Sequence, residues 1–97
     1  MSPQNKKQLN KLRKRIDILD DSFIKLIKKR TYLVKQVLKL KKYKNQIVDQ
    51  KRINSILKNI KNKSVKNRID PKITQKVWKN MIMAYIDFER RNFKKRK

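Results

Sequence analysis

Residues 9–40, LNKLRKRIDILDDSFIKLIKKRTYLVKQVLKL, decide the fold. Counted in sevens from Leu9, they put Leu9, Ile16, Phe23, Arg30 and Val37 on one helical position and Leu12, Leu19, Leu26, Leu33 and Leu40 on another. This is the a/d pattern of a long amphipathic helix, apolar at every place but one. The exception is Arg30. A desolvated guanidinium without a partner costs several kcal/mol, so an arginine on such a seam implies a buried acid, a water-filled cavity or a bound anion. No Asp or Glu stands between Asp21 and Asp49, and Lys28, Lys29, Lys35 and Lys39 surround Arg30 in sequence. A bound anion is the leading reading.

The rest of the chain supplies two shorter helices. The first helix is expected from about Lys6 to Lys42, with no breaker inside it, and would be about 55 Å long. A compact domain of this size has a radius of gyration of only about 13 Å, so the stripe is too long for its own short partners and a second subunit is expected. A loop from Tyr43 to Val48 leads to a second helix over about Asp49 to Lys61, with Ile53, Ile56, Leu57 and Ile60 on one face and Asp49 suited to its N-terminus. Polar residues Asn62 to Arg68 read as a connector. Asp70-Pro71 then marks a helix start, an N-cap acid followed by proline at the first position, and this third helix is expected to end near Asn92. The chain is thus one all-α domain, residues 1–97, with helices over about 6–92 and a basic tail over 93–97.

Composition excludes several chemistries. With no Cys and no His among the 97 residues, disulfides, thiol chemistry, the usual zinc ligand sets and a histidine base are all ruled out. Neither a metal nor a cofactor is expected. No run reaches the roughly 20 apolar residues of a membrane span, and the opening Met-Ser-Pro-Gln-Asn-Lys-Lys has no apolar segment like a secretory signal, so a cytoplasmic location is expected. The formal charge of +24 calls for anionic partners in general. Lys, Asn and Ile are abundant together, as a compositionally biased genome would produce on solvated faces. Charge alone therefore identifies no partner.

Four more residues bear on an anion site. Trp78, Ile82, Tyr85 and Glu89 recur at spacings of four, three and four, so Glu89, the only glutamate in the chain, follows a large apolar face by one turn. Either it pairs at the helix end with Arg90 or a lysine, or it enters a cavity between helices. Lys41 lies eleven residues after Arg30, almost three full turns, and would project from nearly the same face. Arg52 opens the second helix and could swing toward the same space. Arg13, seventeen residues before Arg30 and about 100° round the helix, cannot join the same pocket from the same segment, but in an intertwined dimer it could reach the other chain's.

In this set of residues the chain resembles the all-α, type II chorismate mutases and their relatives. Leu12-Arg13-Lys14-Arg15-Ile16-Asp17-Ile18-Leu19-Asp20 is similar to the family's first-helix signature, and Ile27-Lys28-Lys29-Arg30 to its next landmark. Lys41 stands at the family's lysine, Asp49 and Arg52 at its Asp-x-x-Arg, and Glu89 at the Gln or Glu of the last helix. The resemblance runs from Leu12 to Arg90. It implies an intertwined homodimer of three-helix chains with two sites, each completed by Arg13 of the other subunit. Arg13 and Arg30 would hold the two carboxylates of a small dianion, chorismate or a close analogue, and Arg52 would add to the clamp. Lys41 and Glu89 would donate hydrogen bonds to the ether oxygen of the enolpyruvyl bridge, and Asp49 would sit at the ring hydroxyl.

Such a rearrangement needs confinement and charge. A pericyclic conversion of chorismate to prephenate uses no nucleophile, metal or obligatory proton transfer; it gains from holding the reactive conformer and from a cation aimed at the oxygen whose bond breaks. Arginine suits the carboxylates because its planar fork binds them bidentately. Glu89 must be protonated to donate to an ether oxygen, so activity is expected to fall as pH rises.

One departure opens an alternative. Mutases of this family commonly carry Glu directly after the arginine that matches Arg52; here stands Ile53. With Tyr85 in the third helix, Ile53 is more similar to the isochorismate pyruvate lyases and aminodeoxychorismate mutases of the same fold. Glu89 differs from the glutamine of a lyase. A third reading, a nonenzymatic nucleic-acid-binding helical protein, draws on the charge and the tail Arg91-Asn92-Phe93-Lys94-Lys95-Arg96-Lys97. It lacks a reading motif or an aromatic platform, so no specific nucleic acid and no membrane is expected as partner.

Overall fold

A computed structural model describes residues 1–94 of the chain. Three α-helices follow one another: α1 over Pro3–Leu40, α2 over Gln50–Lys66 and α3 over Pro71–Asn92, with a short 3-10 turn at Lys44–Gln46. Among the described residues there is no strand, and no helix is long and apolar enough to cross a membrane. The all-α fold with a very long first helix is as the seam implies. The chain forms two compact units, Met1–Val34 and Lys35–Lys97.

The first unit is helix throughout. α1 begins three residues before the expected Lys6 because Ser2 and Pro3 form a start signal. The Asn5 amide donates to Ser2 Oγ at 3.1 Å and the Lys6 amide to the Ser2 carbonyl at 2.9 Å, with Pro3 at the first position, where its missing N–H costs nothing. The apolar seam stays in solvent: Leu19 is 60% exposed, Phe23 59% and Leu26 59%. Within α1 the buried residue is Leu38, which lies off the seam and belongs to the second unit.

α1 stops at Leu40, two residues earlier than expected. The Lys41 amide bonds back to the Leu38 carbonyl at 3.1 Å, tightening the last turn. Gln46 then captures the next two amides: its Oε1 accepts from Lys42 N at 2.7 Å and Tyr43 N at 2.8 Å. The expected loop is therefore an ordered 3-10 turn, closed by its own side chain.

α2 runs five residues past its expected end. No breaker stands in Asn62 to Lys66, and the buried Ser64 bonds within the helix, its Oγ donating to the Ile60 carbonyl at 2.6 Å. Termination comes at Asn67 and Arg68. The Arg68 amide bonds to the Val65 carbonyl and the Ile69 amide to the Ser64 carbonyl, the paired bonds of a Schellman cap. Such a cap needs a left-handed residue, and Arg68, with φ 56°, takes the place that glycine usually fills. The chain has no glycine to offer.

α3 matches its expected limits. The Asp70 carboxylate accepts from the Lys72 amide at 2.9 Å and Pro71 takes the first position. α2 and α3 pack on each other. The core of this unit is Leu38 from the end of α1, Ile47 from the turn, and Ile82 and Ile86 from α3, with Ile53, Ile56 and Leu57 of α2 and Phe93 against it. Two polar stitches set the register: the Ser64 and Thr74 hydroxyls lie 2.6 Å apart, and Gln75 Nε2 donates to the Leu57 carbonyl at 2.8 Å. Thr74 Oγ1 also lies 3.4 Å from the Pro71 carbonyl, at the first turn of α3. Phe93, assigned above to a basic tail, instead caps α3 and packs on the core. Residues 95–97 of that tail lie outside the described residues.

Candidate active site

The site grows from the end of α1 and the last turn of α3. Lys41 Nζ lies 3.1 Å from Glu89 Oε2, a contact between residues 48 apart in sequence. Glu89 is buried at 7% exposure and the Lys41 side chain is at 18%. The same ammonium donates to the Ile47 carbonyl at 3.4 Å. Neither reading left open for Glu89 is met as stated: its partner is neither Arg90 nor a neighbouring lysine but Lys41 from another element, and Glu89 does not line the cleft between α2 and α3. A carboxylate and an ammonium shielded together form a charge-assisted pair, with an apolar wall from Ile82 and Ile86 on the same helix.

Lys41 differs from expectation in one respect. It was placed on the helical face of Arg30, but α1 ends at Leu40, so Lys41 is positioned by the tightened turn and by its two acceptors rather than by helical phase.

The remaining candidates occupy three settings. Asp49 and Arg52 are together at the head of α2, where the Asp49 carboxylate accepts from the Arg52 amide at 3.0 Å; both side chains are exposed. That makes Asp49 an N-cap, with one carboxylate oxygen already engaged. Tyr85 is half-buried one turn before Glu89 on α3. Arg30, half-buried, and Arg13, exposed, belong to the first unit. Neither Arg30 nor Tyr85 is without a partner.

Ile53 faces a second feature, a cleft of about 410 Å³ between α2 and α3. Its walls are apolar, from Val48, Ile53, Leu57, Ile82, Met83 and Ile86, and its polar residues are Gln50, Lys79 and Arg90. Of the candidate residues only Ile53 lines it. The cleft is open to solvent along one side and is lined by neither Lys41 nor Glu89. Sequence reasoning missed the Ile47 carbonyl and the place of Arg90 in this cleft. Arg90 had a legible signal: Lys79, Met83, Ile86 and Arg90 recur at four, three and four, a face of α3 beside that of Glu89.

The pair holds a cation in a shielded place, with two of the three ammonium donors taken by Glu89 and the Ile47 carbonyl. A family profile described as chorismate mutase type II matches residues 12–90. No curated protein and no solved structure matches the chain.

Proposed function

The chain belongs to the type II chorismate mutase family, and on that footing we propose that it isomerises chorismate to prephenate in a cationic pocket built around Lys41. The observation that carries this reading is the Lys41–Glu89 pair, 3.1 Å apart and mostly shielded from water. A small dianion enters with its ether oxygen toward the Lys41 ammonium. As the carbon–oxygen bond lengthens, negative charge grows on that oxygen, and the ammonium stabilises it more than it stabilised the ground state. In the free chain Glu89 is the carboxylate partner of Lys41; in this reading it takes up a proton when the dianion binds and then donates the second hydrogen bond. Arg30 and Arg52 hold the carboxylates and fix the chair-like conformer in which the reacting carbons meet. Asp49 supports the ring hydroxyl while capping α2.

The second subunit completes the pocket in this reading. The solvent-exposed seam of Leu12, Ile16, Leu19, Phe23 and Leu26 is a long apolar face of the kind that marks an interaction surface. Two copies joined along it form a homodimer, and Arg13 of each chain reaches the site of the other.

A second reading has its own support. Ile53 stands directly after Arg52, where mutases of the family commonly carry the acid for the ring hydroxyl, and Tyr85 lies one turn from Glu89. An isochorismate pyruvate lyase, releasing pyruvate and salicylate, or an aminodeoxychorismate mutase would use the same clamp with a differently substituted ring.

The deciding experiment is product identification. Purified protein is incubated separately with chorismate and isochorismate, at mildly acidic and at neutral pH, and products are separated by chromatography. Prephenate from chorismate is the expected result. Salicylate with pyruvate from isochorismate, without prephenate, moves the assignment to the lyase, and turnover of neither removes both.

A further inference from the structure

α1 carries a second register, on the side away from its apolar seam. Lys7, Lys11 and Lys14 follow at spacings of four and three, and Lys25 and Lys28 resume the same phase. Relative to the seam these are the outer heptad positions: Lys7, Lys14 and Lys28 lie about 200° round the helix from the Leu12, Leu19 and Leu26 row, and Lys11 and Lys25 about 100° from that row and about 200° from the Leu9, Ile16 and Phe23 row. All five are exposed, and among the described residues none is in an ion pair. Asp21 holds the same phase between the two groups, with Asp17 and Asp20 beside it in sequence. The outer face therefore reads cationic, acidic, cationic. Sequence spacing continues it through Lys35 and Lys39.

Compositional bias accounts for lysines on this solvated face but not for the acidic gap of Asp17, Asp20 and Asp21 between the two groups. The dimensions point to the partner. At about 1.5 Å per residue, the inner edges of the two groups, Lys14 and Lys25, are about 17 Å apart, and Lys7 and Lys28 about 32 Å. A duplex presents its phosphates as two ridges on either side of a groove about 12 Å wide. Laid across the groove, the helix sets each lysine group on one ridge and Asp21 over the gap between them. A membrane surface, uniformly anionic, would press against the aspartates as well, and this face offers only Ile18 and Tyr32 for insertion. The apolar seam, on the opposite side, stays available for a second copy.

We propose that the outer face of α1, Lys7, Lys11 and Lys14 on one side of Asp21 and Lys25 and Lys28 on the other, binds the two phosphate ridges of double-stranded nucleic acid without reading its sequence. Nothing in this depends on the reaction the chain catalyses.

The test is fluorescence anisotropy of full-length protein on a labelled duplex DNA, titrated with KCl, with single-stranded DNA of the same length and phosphatidylserine vesicles as further arms. Five phosphate contacts predict roughly 500-fold weaker duplex binding between 50 and 200 mM salt. Replacing all five α1 lysines by Gln is expected to lower the log–log salt slope by about 4. A charge-matched control, Lys58, Lys61, Lys63, Lys66 and Lys72 to Gln, is expected to change it by less than about 1. Gln keeps helix propensity, and circular dichroism checks that both variants fold. Equal slopes in the two variants would reduce the binding to net charge and overturn the assigned face. Tighter binding to vesicles or to single strands than to the duplex would overturn the assigned partner.

Discussion

Lys41 Nζ stands 3.1 Å from Glu89 Oε2 and ties the first residue after α1 to the last turn of α3. The pair does two jobs in the reading developed above. It joins two elements that are far apart in sequence, and it orients the cation proposed to meet the ether oxygen.

Separating the two jobs is the first prediction. Lys41→Ala is expected to lower kcat for chorismate by roughly 10²–10³-fold, the usual cost of removing one oriented donor. It also leaves a shielded carboxylate without its partner, which costs about 2 kcal/mol here, less than the ~3–5 of a fully buried pair. Steady-state kinetics and urea unfolding, run on the same preparation, check both. A stability loss with kcat intact would make the pair purely structural.

The proposed donor role of Glu89 carries a pH dependence. An ether oxygen only accepts, so the carboxyl must hold a proton to donate to it, and the active form is the protonated one. Activity is therefore expected to be highest at acidic pH and to fall as pH rises. Glu89→Gln, a permanent donor, is expected to flatten the profile and to be the faster enzyme at neutral pH. The same slope in both proteins would remove Glu89 from the reaction.

Trans completion by Arg13 is testable by mixing. Arg13→Ala and Arg30→Ala are each expected to lose at least roughly 10²-fold in kcat/KM, since each takes one carboxylate contact. Unfolded together and refolded, the two variants should recover about a quarter of the wild-type rate, because half of randomly paired dimers are mixed and each holds one intact site. Absence of recovery would place both arginines in the same chain's site or in none.

Ile53 divides the mutase from the lyase reading. Ile53→Glu is expected to raise kcat/KM for chorismate relative to isochorismate by about tenfold, through a hydrogen bond to the ring hydroxyl. It should also destabilise the α2–α3 cleft by about 1–2 kcal/mol, the cost of a carboxyl on an apolar wall. Product ratios read by chromatography decide it. An unchanged ratio would make Ile53 a cleft wall and nothing more.

Arg68 gives a prediction on stability alone. At φ 56° it holds a conformation that costs a side-chain-bearing residue about 1–2 kcal/mol. Arg68→Gly removes that cost but adds unfolded-state entropy, for a net gain of about 0.5–1 kcal/mol. A higher urea midpoint with the same slope is the expected result; a lower midpoint would show that the guanidinium stabilises the cap.

Local chemistry was legible residue by residue. Asp70-Pro71 marked the start of α3 because capping acid and proline act on the backbone next to them, and the structure begins the helix at that proline. Ser2-Pro3 carried the same signal at the head of α1 but went unread. The end of α2 was misplaced because Asn62 to Arg68 is polar, and polarity does not stop a helix: Ser64 found an acceptor at Ile60 and α2 went on to its Schellman cap.

Sequence by itself determined the helical class, the apolar seam and the identity of the one charged residue that breaks it, because periodicity and residue type are properties of the chain. Tertiary structure decided the partners. Glu89 could equally have met Arg90 beside it, yet it meets Lys41 from 48 residues away. The reason is physical: a neighbour on the same helix is turned about 100° aside, whereas the packing of α3 on the core brings a cation from another element within reach of the buried carboxylate.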